Sequence, residues 1–262
     1  MAKRLRNLLI HAATRILPAS KGGRVICLHE VSRGDLLDEK LVNLKKKRAV
    51  VPLDALIEDP EPAGKVSLTF DDGYASWAEI AAPVLEHHGI PATFFVNSGC
   101  VGLEREQAMG YVKNALRRTQ NLLLISLEQL KALAANPLFA IGSHTINHVN
   151  LKQLDSRDQL HKEICEDRRM LEEFTGREVT FFSYPFGNMD SISEKAISVV
   201  AECGFKAAFT YVPKDYHNCH KGRDRFLIGR DGLNLYDDND LWDAWLSGGY
   251  DWIYRIKTLL KR

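Results

Sequence analysis

The chain is poor in several features, and each absence excludes something. No stretch of its 262 residues is an apolar run of transmembrane length. Cysteine is sparse. Cys27, Cys100, Cys165, Cys203 and Cys219 are an odd set with no CxxC pair, which excludes a disulfide-stapled mini-domain and a zinc ribbon. Reduced thiols in a cytosolic setting are the expectation for all five. An excess of one charge is also lacking. The 35 Lys and Arg balance 34 Asp and Glu to leave +1, so no global polyanion-binding character and no nucleic-acid partner are expected. No Gly-rich, phosphate-cradling loop is present, which argues against phosphoryl chemistry. His217, Cys219 and His220 crowd together but have no partner motif nearby, and no histidine follows His220. Internal repeats, low-complexity tracts and flexible interdomain linkers are absent.

What is present suits one globular domain: 45% apolar and 26% charged residues over a length that one barrel can fill. Short β-branched and aromatic runs are expected as strands at 25–28, 66–70, 92–96, 139–142, 179–184, 207–211 and 226–228. Helical patterns lie between them. Ser126 and Gln129 have capping-box spacing before a helix reaching Ala135. A second helix is expected from Asp158 to Thr175, closed by Gly176. Strands alternating with helices imply a parallel α/β architecture. Residues 35–51 and 103–124 read as insertions.

The densest chemistry lies in Thr69-Phe70-Asp71-Asp72-Gly73-Tyr74, where the second strand ends. Adjacent carboxylates repel, so a pair at a strand end needs a cation or a shared proton, although Asp and Gly are also turn formers. Further on, Gly142-Ser143-His144-Thr145-Ile146-Asn147-His148 sets two imidazoles four positions apart, on one face if that segment is helical. Two histidines and a carboxylate make a three-ligand set with room for water, as in a catalytic zinc or related divalent site.

With these residues in place the chain resembles the polysaccharide deacetylases of carbohydrate esterase family 4, the NodB-homology domain. The first motif is Thr69 to Gly73, the second Ser143 to His148 with Leu151 following, and the third Phe181-Phe182-Ser183-Tyr184-Pro185-Phe186-Gly187. The likeness runs from about Arg24 to Gly248. It implies a distorted (β/α)7-type barrel with its site at the carboxyl ends of the strands. It also implies hydrolysis of the acetyl amide of an N-acetylated sugar, in a glycan or a lipid-linked glycan. An O-acetyl or N-formyl sugar, or a catalytically weak glycan-binding protein on the same fold, is the alternative. By the resemblance, Asp72, His144 and His148 are metal ligands for one divalent ion, zinc first, with cobalt, nickel or manganese as alternatives. Asp71 is the general base, and a backbone N–H near Phe186 is an oxyanion contact. Tyr184, Pro185 and Phe186 form the wall on which the sugar lies.

Two departures qualify the match. The third motif has no Arg to pair with the catalytic Asp, and no late Leu-x-His supplies the acid. Val25-Ile26-Cys27-Leu28-His29-Glu30-Val31 resembles the N-terminal Tyr-His element of a permuted, exopolysaccharide-acting subgroup, with Leu28 where Tyr is common. His29 is therefore the expected acid. Arg230 is the expected substitute for the missing Arg.

The ends form their own pattern. Residues 1–23 are basic, with Leu5, Leu8, Leu9, Ala12, Ala13, Ile16 and Leu17 on one helical stripe and no clean signal-peptide core. Residues 24–248 are the catalytic domain. Residues 249–262 combine Tyr250, Trp252 and Tyr254 with Arg255, Lys257, Lys261 and Arg262. Trp242 and Trp245 are expected to pack on the barrel. Aromatic and basic residues together suit an anionic membrane surface, so the expectation is a cytoplasmic protein peripheral on the inner face of a membrane.

Overall fold

A computed structural model describes residues 7, 9–10, 22–217 and 222–259. The chain begins with β1 (Arg24–Leu28), α1 (Gly34–Lys47), β2 (Ala49–Val50), α2 (Leu53–Glu58) and β3 (Lys65–Asp71). A π turn at Trp77–Ala81 leads into α3 (Ala82–His88), then β4 (Ala92–Val96), α4 (Arg105–Asn114), α5 (Leu127–Ala135) and β5 (Phe139–Ser143). The second half holds α6 (Arg157–His161), a π turn at Lys162–Glu166 and α7 (Asp167–Thr175), then β6 (Phe181–Ser183), α8 (Glu194–Glu202) and β7 (Ala207–Phe209). It ends with β8 (Asp231–Gly232), α9 (Asn239–Leu246) and α10 (Gly249–Leu259).

The strands form one parallel sheet in the order β7-β6-β5-β4-β3-β1-β8, with β2 beside β3. Both faces are covered, so β1 and β4 are apolar or buried at every position instead of alternating with polar residues. Alternation instead decides which core a residue joins. Val25, Phe95, Phe181, Ala207 and Phe209 fill the concave side. Ile26, Leu28, Leu68, Phe70, Phe94 and Phe182 pack outward under the helices. Phe70, Phe94 and Trp77 meet there with ring centroids 5.0–6.4 Å apart, each contributing roughly 1.5–3 kcal/mol of burial.

The sheet curls into a distorted barrel because the segment 228–232 touches both of its edges. Ile228 bridges Phe209 of β7, and Asp231 pairs with Ile26 of β1. The last strand expected from sequence, 226–228, is thus displaced. Phe226 ends a 3₁₀ turn, and the ladder resumes only at Asp231. Residues 35–51 also depart from the expectation of an appended insertion. They form α1, whose Leu37, Leu41 and Leu44 are core residues, and β2, which pairs with β3. The capping box at Ser126 and the left-handed Gly176 are present as expected.

Two thiols depart from the reduced state expected for all five. Cys165 and Cys203 are joined in a disulfide, Cα atoms 5.2 Å apart and 38 residues apart in sequence. Packing of the helices around α6 on α8 brings them together, and no local spacing announces it. Cys27 and Cys100 are free and buried, whereas Cys219 lies outside the described residues.

At the N-terminus, Ile10 is buried and Leu9 exposed, while the rest of the expected apolar stripe lies outside the described residues. Trp242 and Trp245 pack into the core as expected. The buried Arg24 joins Asp231 Oδ1 and Asp251 Oδ2, each at 2.8 Å, and so fixes α10 to β1. Trp252 and Ile256 stay exposed on α10.

Candidate active site

β3 delivers Asp71 to the concave side, and pleating would send Asp72 away from it. The chain instead turns at Asp72 (φ 96°) and Gly73 (φ 93°), which brings both carboxylates to one cavity. A Cβ on Gly73 would lie 2.6 Å from Cys100 Sγ, so only glycine fits there. Among the described residues the non-glycine positive-φ positions are Asp72, Arg117, Thr145, His148 and Phe186. Each lies in or beside this cavity, at a typical strain of about 1–3 kcal/mol apiece. Asp72 Oδ2 accepts a hydrogen bond from Tyr74 Oη at 2.8 Å, while Oδ1 faces His144 Nε2 at 3.6 Å and His148 Nε2 at 3.4 Å.

The histidines are not on a helix. The segment after β5 is a loop, left-handed at Thr145 and at His148, and it folds the two rings to within 5.1 Å. The loop is held from outside. Glu163 accepts from Asn147 N and Nδ2 at 2.9 and 2.7 Å. Asp167, fully buried, accepts from His144 N, Ser98 N and Ser143 Oγ at 3.1, 2.8 and 2.5 Å.

Each ring's far nitrogen meets a backbone carbonyl: His144 Nδ1 to Ser183 O at 2.7 Å and His148 Nδ1 to Ala115 O at 3.1 Å. Carbonyls only accept, so Nδ1 carries the proton and Nε2 keeps its lone pair. Three lone-pair atoms therefore converge, and a cation fits that donor set. The charges agree. Burial opposes it, yet the neighbouring imidazoles hold Asp72 well below the usual carboxylate range. Burial, reinforced by His144, lowers His148 to about 4. Burial also works against a charged His144, but the carboxylates of Asp71 and Asp72 prevail and raise it.

Asp71 has a different partner. Arg230 Nη1 and Nη2 donate to Asp71 Oδ1 and Oδ2 at 2.7 and 2.6 Å, and Nη2 also reaches Ser183 Oγ at 2.7 Å. Burial pushes Asp71 up, and the guanidinium outweighs it, holding the carboxyl at about 2. His29, on the loop after β1, is fixed by Trp77 Nε1 donating to its carbonyl at 2.9 Å and by its ring edge on Tyr211. A His29 ring nitrogen lies within 4.8 Å of an Asp71 oxygen.

His29, Asp71, Asp72, His144, His148, Tyr184, Phe186 and Arg230 line a single cavity of about 260 Å3. Of the expected wall, Tyr184 is buried beside Phe182 and Pro185 is buried too, whereas Phe186 is half-buried, against His148 and under Arg117. Leu116, Arg118 and Tyr211 complete the lining, and sequence reasoning missed them. Tyr74 was within the first motif, but nothing in its spacing gave it the Asp72 contact. A second cavity of about 740 Å3 adjoins the first across His29, Arg118 and Tyr211.

A curled parallel sheet with a carboxylate–histidine cluster at its carboxyl end defines a distorted (β/α) barrel whose donor set could hold a metal ion. The polysaccharide deacetylase family model matches residues 58–208, and the chain belongs to that family. A putative polysaccharide deacetylase, YxkH of Bacillus subtilis, is 27% identical over 159 residues, covering 60% of this chain and 49% of that protein. The poly-beta-1,6-N-acetyl-D-glucosamine N-deacetylase of Staphylococcus aureus is 26% identical over 160 residues, covering 58% and 50%. The chain thus spans about half the length of these curated relatives. The structure of IcaB from Ammonifex degensii superposes with a TM-score of 0.68 at 24% identity, covering 89% of this chain and 97% of that one. A putative polysaccharide deacetylase from Bacillus anthracis gives 0.70 at 15% identity, covering 86% and 69%. These likenesses establish the fold.

Proposed function

We propose that the chain is a metal-dependent hydrolase that removes the acetyl group from an N-acetylated amino sugar of a glycan or lipid-linked glycan. The observation that carries this reading is the convergence of His144 Nε2, His148 Nε2 and Asp72 Oδ1 beside the Arg230-bound Asp71. Asp72, His144 and His148 would hold one divalent ion, zinc by its preference for imidazole and carboxylate ligands. The ion supplies Lewis acidity to the acetyl carbonyl and acidity to the attacking water.

Asp71 accepts the proton of that water as it attacks the carbonyl carbon. Arg230 fixes both oxygens of Asp71, so the carboxylate is ionised and aimed before substrate arrives. His29 donates a proton to the departing nitrogen, the C–N bond breaks, and acetate and an amine result. Phe186 supports the sugar ring. The small cavity takes the acetamido group, and the larger one next to it takes the neighbouring part of the substrate. The S. aureus relative's name points to β-1,6-linked N-acetylglucosamine as the first substrate to try. Acetate release from such oligomers, by zinc-loaded and by chelated protein, tests the reading. Loss with chelation and recovery on reloading is the expected result. Metal-loaded protein that releases neither acetate from N-acetyl or O-acetyl sugars nor formate from N-formyl sugars overturns it.

A further inference from the structure

The helix that supports the histidine loop carries a second donor cluster on its other flank. His161 ends α6, Cys165 lies one turn later, and Cys203 directly follows α8. Cys165 Sγ is 3.2 Å from His161 Nδ1, and the donor atoms of His161, Cys165 and Cys203 lie within 4.8 Å of one another. All three residues are half-buried, so solvent reaches them. The other ring nitrogen, His161 Nε2, is 3.6 Å from Glu202 Oε2. Glu202 is itself held by Arg157 and by Ser198 Oγ.

A structural disulfide has no need of an imidazole against one sulfur, oriented by a carboxylate on its far side. Two thiolates and an imidazole are a zinc donor set. A carboxylate on the second ring nitrogen is the usual outer partner of a ligating histidine. The cluster is distinct from the centre at Asp72, His144 and His148. Glu163 in the π turn and Asp167 at the start of α7 are the residues that bond that loop.

We propose that, with both sulfurs reduced, His161 Nδ1, Cys165 Sγ and Cys203 Sγ hold one thiophilic divalent ion, zinc by preference, and that the disulfide is the oxidised, ion-free state of the same site. A phosphine supplies two electrons and becomes the phosphine oxide, water giving two protons to the sulfurs and its oxygen to phosphorus. The Sγ–Sγ bond breaks, two thiols form, and the reductant is oxidised. The incoming ion displaces both thiol protons and takes water as its fourth ligand. Re-oxidation by a low-molecular-weight disulfide restores the Sγ–Sγ bond, yields two small thiols and releases the ion. At a Zn–S length near 2.3 Å the two sulfurs separate to ~3.7 Å, a change that side-chain rotation supplies.

The inference stands apart from the deacetylase reading, and its test uses no activity. The full-length chain with His144→Ala, which cripples the first centre, is reduced with a phosphine and titrated with Co(II). One equivalent should bind with sulfur-to-cobalt charge-transfer absorption, which nitrogen and oxygen ligands do not give. Cys203→Ser and Cys165→Ser should each abolish the band while keeping the far-ultraviolet circular dichroism and cooperative melting of the parent. Glu202→Gln should weaken binding about 10–100-fold. In the reduced parent, zinc should shield two thiols from alkylation. A reduced chain with no charge-transfer band, a band that survives in a folded Cys203→Ser chain, or equal alkylation with and without zinc would each overturn the proposal.

Discussion

Arg230 grips Asp71 at two points, Nη1 on Oδ1 at 2.7 Å and Nη2 on Oδ2 at 2.6 Å, although the residues are 159 positions apart. Both are buried, so water screens the pair little. The grip trades base strength for readiness. A carboxyl held at about 2 is ionised throughout any working range, but takes up a proton weakly.

Replacing Arg230 with Gln removes the term that lowers Asp71 and leaves the burial that raises it. The Asp71 pKa should rise, so activity should fail at higher pH on the acid side than in the parent. Asp71→Asn should keep its metal and lose ~10²–10⁴-fold in kcat. The checks are a kcat–pH profile and metal analysis. An acid limb that Arg230→Gln does not move would break the assigned link.

The two histidines make metal binding pH-dependent in a defined direction. His148, lowered to about 4, is neutral and ready near neutrality. Burial opposes a charged His144 but Asp71 and Asp72 raise its pKa, so below that pKa the ring carries a second proton that an ion must expel. Affinity should therefore rise about tenfold per pH unit while pH is below the His144 pKa, then level off. In the ion-free protein the sign for stability is the reverse. The raised His144 pKa stabilises the fold fully below its unfolded value near 6.5, and that contribution is lost as pH rises through the folded value. Calorimetry in buffers of differing ionisation enthalpy reads the released proton. Binding near pH 6 with no proton release contradicts this account.

Asp167 is the strut of the histidine loop, accepting from His144 N, Ser98 N and Ser143 Oγ. Asp167→Ala leaves three buried donors without it. The expected cost is about 3 kcal/mol, with weaker ion affinity as His144 loosens. Denaturant titration and ion affinity of the variant test this. A change in neither would mean the loop is held by other contacts.

What the sequence made readable was what local patterning controls. β4 emerged at Ala92–Val96 because a short apolar run between turns has few alternatives, and Ser126 with Gln129 formed the capping box that their spacing encodes. Arg230 was readable as a replacement for a missing partner, but its chain neighbours were not. The closing element is two residues of strand, too short for any periodicity. The His144–His148 spacing invited a helix. A loop fixed by Ser183 O, Ala115 O and Asp167 meets the same spacing, and backbone carbonyls carry no residue signature. For the same reason residues 103–124 read as an insertion, although they supply Ala115 O, Leu116 and Arg118 to the site.

The ends yield a prediction about place of work. We propose that the basic N-terminal segment and α10, with Trp252 and Ile256 exposed, contact an anionic membrane surface. Arg24 anchors α10 through Asp251, so the helix presents a fixed face. Full-length protein should sediment with anionic vesicles, less so as salt rises. Trp252→Ser with Ile256→Ser should reduce the bound fraction. Protein that stays in the supernatant with anionic vesicles at low salt removes the membrane role.

The proton donated to the leaving group tests the site most severely. An amine cannot depart readily as an amide anion, so an acid must reach the nitrogen before the C–N bond breaks. His144 and His148 are committed through Nδ1 to carbonyls and through Nε2 to the centre. Tyr211 holds its proton tightly, since burial raises its pKa, and Arg230 is engaged with Asp71. His29 is the remaining imidazole on the cavity wall, its ring nitrogen within 4.8 Å of an Asp71 oxygen, a gap that one reacting centre can fill. His29→Ala should therefore lose about 10²–10⁴-fold in kcat on an N-acetyl sugar, with the bound ion retained. An O-acetyl sugar should suffer less, because an alkoxide is a better leaving group than an amide anion. Paired kcat measurements on the two substrates decide the matter. Equal losses on both would assign His29 to binding or structure, and an undiminished N-acetyl rate would remove it from the reaction.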